Sequence, residues 1–160
     1  LLSEFEYKIK PENIDKADPV AFKINKYTTD KWQDALTARE AGDLLREKLF
    51  KVEVTDQKVN NLVVVGHNVH FDVLMLASFF RRLGSAWTPR HALDTYTLAR
   101  KVHRGDIKLP SYALASLCEY YGITNESAHT ALSDTRACLA VYQKLMGVKV
   151  IERKDVIYKL

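Results

Sequence analysis

The chain predicts an α/β layered fold, a mixed β-sheet flanked by helices, and three features of its 160 residues carry that expectation. Residues 62–65, Leu-Val-Val-Val, form a short continuous apolar run of the kind found in a strand covered on both faces. Apolar residues recur at helical spacing before and after it. Glycines at 84, 122 and 147 each stand where such a helical run stops. Strands interleaved with helices in this way pack the helices onto the sheet.

In chain order, residues 4–10 alternate, with Phe5, Tyr7 and Ile9 on one face and Glu4, Glu6, Lys8 and Lys10 on the other, which predicts a half-buried strand near a sheet edge. Asp18-Pro19 reads as an N-cap followed by proline at the first helical position, opening a short helix to about residue 26. Thr37 and Glu40 have the spacing of a capping box and start a second helix that turns Ala41, Leu44, Leu45 and Leu49 inward. After the apolar strand, Gly66-His67-Asn68 turns the chain into a helix that ends before Gly84. Residues 91–93 form a short strand, and Asp94-Thr95 caps a helix to Val102. A loop at 104–110 precedes helices over 111–121 and 128–146. The domain spans 1–147, and the tail, 148–160, offers a further strand or a docking arm.

One element strains this arrangement. A strand as apolar as 62–65 wants neighbours on both sides, yet the chain supplies only an edge-like strand, a three-residue strand and the tail. Buried backbone groups without partners cost about 1–3 kcal/mol each. The 160 residues are therefore expected not to fold stably alone, the central slot being filled by upstream residues, another chain or the tail around 148–151.

Composition excludes several classes. With 47% hydrophobic and 28% charged residues the chain buries a core rather than remaining disordered, and no apolar run approaches a membrane span. The opening Leu-Leu-Ser-Glu-Phe has neither an initiator Met nor the features of a signal peptide, so the chain begins as if cut. Cys118 and Cys138 sit among apolar helical residues, which predicts buried free thiols in a reducing, cytoplasmic compartment. Twenty-four Lys and Arg against twenty acids give +4, a mild bias toward a polyanionic partner. There is no P-loop, no dinucleotide fingerprint and no nucleophile elbow.

The chemistry-bearing pattern is a pair of matched stripes. Asp72 heads a helical seam made by Leu76, Phe79 and Leu83, and Asp134 heads one with the same offsets, Cys138, Val141 and Leu145. Carboxylates at the head of core-facing seams are costly unless paired or metal-bound, and a shared divalent cation would serve both. Acids in a first helical turn are also favoured by the dipole alone. His129 precedes Asp134 by five residues, at the helix start or in the loop before it, where it can exchange protons near neutral pH. His67 and His70 match no zinc spacing, and His70 is expected to face solvent. Arg100, Lys101, Arg104 and Lys108 form a basic run that either follows a single-stranded backbone or is a solvated face.

Val65-Gly66-His67-Asn68-Val69-His70-Phe71-Asp72 resembles the second motif of the DEDDh exonucleases, a ribonuclease H-like family that includes bacterial proofreading subunits. Ala128-His129-Thr130-Ala131-Leu132-Ser133-Asp134, with Ala137, is similar to their third motif. Leu93-Asp94-Thr95 and the stretch from Leu109 to Leu114 look like the elements between them. The family's first motif, an Asp-x-Glu on a central strand, is absent. Glu4-Phe5-Glu6 has the spacing but lies on a polar face with Lys8 and Lys10, which offers no metal cage. The missing motif and the missing central strands point to the same absent first two strands.

The resemblance implies a metal-dependent 3′ to 5′ exonuclease that releases nucleoside 5′-monophosphates, with DNA favoured over RNA. It implies that Asp72 and Asp134 join an Asp-x-Glu in holding two Mg²⁺ or Mn²⁺, that His129 is the general base, and that His67, Asn68 and Phe71 order the site or touch the terminal nucleotide, Phe71 serving equally well as core. Its partners would be single-stranded 3′ ends and a DNA polymerase or other replication or repair protein, with no membrane. The alternative is a non-catalytic ribonuclease H-like module that binds nucleic acid or a polymerase.

Overall fold

A computed structural model describes residues 4–24, 27–50, 62–106, 108–125 and 130–147. Its elements are α1 (Pro19–Ile24), α2 (Ala38–Phe50), β1 (Val63–Gly66), α3 (His70–Arg82), β2 (His91–Asp94), α4 (Thr95–Val102), α5 (Leu114–Tyr121) and α6 (Ala131–Leu145). Single 3₁₀ turns stand at Ile14–Lys16 and Asp30–Trp32. The fold class is the expected one: helices flank a small parallel sheet.

Local signals set most helix ends. The Asp18 carboxylate accepts from the Val20 N–H at 2.7 Å, and Pro19 begins α1. At α2 the capping box is fully made: the Thr37 N–H donates to Glu40 Oε2 at 2.8 Å, and the Glu40 N–H donates to Thr37 Oγ1 at 3.2 Å. The Thr37 backbone donor, followed by its hydroxyl, holds the Glu40 carboxyl below its ordinary value. Thr37→Ala is expected to lower stability by about 1 kcal/mol, read as a denaturant midpoint. A depressed carboxyl stabilises above its unfolded pKa and loses that contribution as pH falls through the folded one, so the part of the loss owed to the Thr37 hydroxyl's bond to Glu40 should fade in acid while the part owed to its cap on the Glu40 N–H remains. Gly84, Gly122 and Gly147, with φ of +77°, +64° and +65°, follow α3, α5 and α6 in the left-handed region that glycine enters without strain.

β1, α3 and β2 form a βαβ unit. The strands pair in parallel with Val63 opposite His91 and Gly66 opposite Asp94, so both point their carboxyl ends the same way. The core lies behind them, where α4, α5 and α6 bring together Ala99, Leu117 and Val141, all fully buried, with Cys118, Ala137 and Leu109. On the other side Phe80 of α3 is buried edge-on against Trp87 at 4.9 Å between ring centroids. The stripe below Asp134 faces the core as expected, with Cys138 and Val141 buried and Leu145 half-buried. Leu76, Phe79 and Leu83 below Asp72 are half-buried.

Four expectations need correction. Residues 4–10 do not form a strand: Ile9 makes a single parallel bridge to Leu36, because a strand needs a partner edge and only residues 8–10 meet one. The alternation survives in part, with Tyr7 and Ile9 half-buried and Phe5 40% exposed. β1 is not covered on both faces, since Val63 and Val65 are 49% and 38% exposed, and among the described residues only β2 pairs with it. Among the described residues the sheet consists of the parallel pair β1 and β2. The helix expected from 111 begins at Leu114, because Ala113 is extended, and the Ser111 hydroxyl before it bonds the Ser116 hydroxyl of the first turn at 2.6 Å. α6 begins at Ala131, capped by Thr130. His129 and the tail 148–160 lie outside the described residues.

Candidate active site

The carboxyl ends of β1 and β2 carry the acidic side chains. Gly66 closes β1, Asn68 turns with φ +60°, and α3 starts at His70, which puts Asp72 in its first turn. Asp72 is exposed as a residue, but its carboxyl folds back over the strand end: a Cβ at Gly66 would lie 3.1 Å from Asp72 Oδ2 and 2.8 Å from Val69 Cγ2. Only a residue without a side chain leaves that space open. Burial against the strand end pushes the Asp72 carboxyl up, its own N–H works against that, and the charge of Asp94 adds to the rise.

Asp94 is tied down. Its Oδ1 accepts from the N–H of Asn68 at 2.7 Å, Val69 at 3.4 Å and Tyr96 at 3.3 Å, and its Oδ2 accepts from the Thr97 N–H and hydroxyl. Burial works to raise this carboxyl, and the donors from Thr97, Asn68 and Val69 outweigh it, leaving it below its ordinary value. The expected N-cap is thus also a clamp between the β1–α3 turn and α4.

Thr95, fully buried, is the residue that sequence reasoning missed as more than part of a cap. Its hydroxyl donates to the Gly66 carbonyl at 3.0 Å, lies 2.9 Å from His67 Nδ1 and reaches Cys138 Sγ at 3.6 Å. The His67 Nε2 is buried without a hydrogen-bond partner among the described residues. Burial lowers the His67 pKa, against the opposing charge of Asp94, so the ring is neutral at physiological pH. The only sequence signal for Thr95 was its helical spacing to Ala99.

His70 faces solvent as expected. Phe71 is 67% exposed, so it is not core; with Asn68, His70, Val73 and Ala92 it lines a groove of about 530 Å³ that reaches Asp94. Asp134 is half-buried in the first turn of α6, and its Oδ1 accepts from Asn125 Nδ2 at 3.1 Å. It stands one turn before Cys138, whose thiol is pushed up by burial and then, against the Thr95 hydrogen bond, by the charges of Asp72 and Asp94. The structure therefore gathers Asp72, Asp94, Gly66, Thr95 and His67 at the strand ends. Glu4 is engaged elsewhere, in a two-pronged ion pair with Arg136.

Hard carboxylate oxygens at a strand end suit a divalent cation. Among the described residues no group of three or more histidine, cysteine or acidic side chains is arranged to hold one. No helix among the described residues is long and apolar enough to cross a membrane.

An α/β domain with carboxylates at the ends of parallel strands is the architecture of a ribonuclease H-like nuclease, and comparison with known proteins supports that class. The chain belongs to the RNase_T exonuclease family, whose profile matches residues 2–142. It is 30% identical over 102 residues to the 3'-5' exonuclease DinG of Staphylococcus aureus, covering 62% of this chain and 11% of that protein. Over 89 residues it is 28% identical to DNA polymerase III subunit epsilon of Treponema pallidum, covering 56% of this chain and 41% of the subunit. A Mycobacterium tuberculosis protein with a provisional name as a bifunctional exonuclease/endonuclease is 36% identical over 84 residues, covering 52% of this chain and 13% of that protein. The chain thus spans a minor part of each of these relatives. The family generally uses divalent metal ions, and its substrates are nucleic acids.

Proposed function

We propose that the chain forms the body of a metal-dependent 3′ to 5′ exonuclease that releases nucleoside 5′-monophosphates, DNA favoured over RNA, with the remaining acidic pair supplied outside these residues. The observation that carries the reading is the Asp72 carboxyl resting over Gly66 at the strand ends beside Asp94. Asp72 and Asp134 would hold the ions, two Mg²⁺ or Mn²⁺. Bound there, the ions would neutralise phosphate charge and acidify the attacking water.

The chain's own residues do the rest. Asp94 fixes the turn from which Asp72 projects, so the carboxylate is positioned before substrate arrives. Thr95 orients His67, and burial keeps its ring neutral. Phe71, exposed on the groove, offers a ring face to the terminal base. His129 is the group to take the proton from water as its oxygen bonds to the terminal phosphorus and the P–O3′ bond breaks. A DNA polymerase or other replication or repair protein is the partner the relationship to a polymerase subunit suggests.

The test is a 5′-labelled single-stranded oligonucleotide incubated with Mg²⁺ or Mn²⁺ and a protein that carries these 160 residues together with the segment supplying the Asp-x-Glu pair. The expected result is a ladder of shortened products, abolished by chelation and by a blocked 3′ end. His129→Ala is expected to lower the rate by about 10²-fold or more. Unchanged turnover in that variant removes His129 from the mechanism. No hydrolysis of DNA or RNA in either metal overturns the enzyme and leaves the second reading, a non-catalytic nucleic-acid- or polymerase-binding module, favoured by the absence of a three-ligand group among the described residues.

A further inference from the structure

We propose that residues 103–106 and 108–112 form a preorganised strap that binds the phosphate backbone of a single strand on its way to the strand-end site, Arg104 and Lys108 making the contacts. The inference rests on the exonuclease reading for the direction of the strand, and adds a binding track that the acidic site does not contain.

The geometry starts from α4. Its first residue follows Asp94 at the site, and eight residues at about 1.5 Å each carry the chain roughly 12 Å away to His103. The chain then returns: Tyr112 lies with its backbone beside the His67 ring and its own ring against Tyr96, 6.1 Å between centroids, while Tyr96 meets His67 at 5.8 Å. The strap is therefore hinged to the site at one end and to the far end of α4 at the other.

A basic surface loop is ordinarily a solvated face, and this one differs in how firmly it is held. Asp106 accepts from the Tyr120 hydroxyl at 2.7 Å and from the Lys108 N–H at 2.9 Å, and lies 3.8 Å from His103 Nδ1. His103 Nε2 bonds the Tyr121 hydroxyl, and Tyr112 donates its hydroxyl to the His103 carbonyl at 3.2 Å. Between the two basic residues and Tyr112, Leu109 is buried in the main core. The acid in the strap is thus engaged by Tyr120 and a backbone donor, while Arg104 and Lys108 are exposed. The Tyr120 hydroxyl, then the Lys108 N–H, hold the Asp106 carboxyl below its ordinary value, which keeps it an acceptor through the neutral range.

This is the arrangement a sequence-independent strand site needs. Phosphate neutralisation supplies most of the affinity, and charges fixed before binding lose less side-chain and loop freedom when the strand docks. Toward the site, Arg100 lies over the Tyr96 ring with its guanidinium carbon 5.9 Å from the centroid, placing a cation and an aromatic face between strap and strand ends.

The experiment is fluorescence anisotropy of a labelled single-stranded oligonucleotide with the full chain in chelator, from 50 to 200 mM salt, so that binding is read without hydrolysis. Each contact on a single strand contributes a slope of about 0.7 in log affinity against log salt. Arg104→Ala with Lys108→Ala is expected to lower the slope by about 1.4, so that over this fourfold range the variant loses about sevenfold less affinity than the parent. Arg81→Ala with Arg82→Ala removes the same charge from exposed residues at the end of α3 and should leave the slope unchanged. Tyr120→Phe, which removes one of the contacts that hold Asp106, should weaken binding at an unchanged slope, since the charges remain but are held less firmly. An unaltered slope in the strap variant, or an equal fall in the α3 variant, overturns the proposal. A protein that also carries the Asp-x-Glu segment, binds with the expected slopes and yet hydrolyses nothing in Mg²⁺ or Mn²⁺ keeps the strap and refutes the exonuclease, whereas hydrolysis with an unaltered slope does the reverse.

Discussion

Asp72→Ala is expected to abolish metal-dependent shortening of single-stranded 3′ ends, with a fall in rate of about 10³-fold, the scale of losing one group that stabilises transition-state charge in a dry site. The residue is exposed, so the loss should come without unfolding. Asp72→Asn separates the two further. A carboxyl whose folded pKa is raised penalises the folded state wherever it is ionised, so the penalty is present above both pKa values and vanishes as pH falls below the unfolded one. Asp72→Asn should therefore be as inactive as Asp72→Ala, yet unfold in chelator at a temperature no lower than the parent near neutrality, any gain disappearing in acid. A variant that keeps its rate shows that the Asp72 carboxylate is not part of the reaction.

Thr95→Val is expected to damage fold and site together. The replacement keeps the shape and removes the hydroxyl, so the Gly66 carbonyl loses its donor and His67 Nδ1 its partner in a place without water access. Each group left unsatisfied costs about 1–3 kcal/mol, a large share of a domain stability of about 5–15 kcal/mol. Thr95→Ser, which loses only a methyl, should lie much closer to the parent in a denaturant titration. The rate on single-stranded 3′ ends should also fall in Thr95→Val, because the turn that carries Asp72 leaves from Gly66. A denaturation midpoint equal to the parent's would show that the hydroxyl contributes nothing net.

What could be read from the sequence was what neighbouring residues determine. Asp18-Pro19 and the Thr37–Glu40 pair are complete within four residues, and the structure makes both sets of hydrogen bonds. Asp94 was legible as a cap for the same reason, but its bonds back to Asn68 and Val69 cross more than twenty residues and left no local trace. Strand identity failed where it depends on a partner: residues 4–10 have the right alternation and meet Leu36 at one bridge. Phe71 looked equally fit for core or surface because α3 is apolar on more than one side, with Leu74 and Met75 exposed one turn on. The helix expected at 111 starts three residues late because Ala113 is extended, a backbone conformation that its residue type does not announce.

The two buried cysteines have a practical consequence in solution chemistry. Cys118 and Cys138 are the chain's only sulfhydryls, and burial pushes both up, with the charge of Asp134 reinforcing the first and those of Asp72 and Asp94 the second. Alkylating reagents attack the thiolate, which is scarce and shielded at both positions. The folded chain is therefore close to silent toward maleimides, and a single cysteine introduced on the surface, such as Lys108→Cys, becomes its one fast-labelling atom. Slow labelling of the native pair then reports opening of the α5–α6 core, a clock for local unfolding built into the unmodified chain.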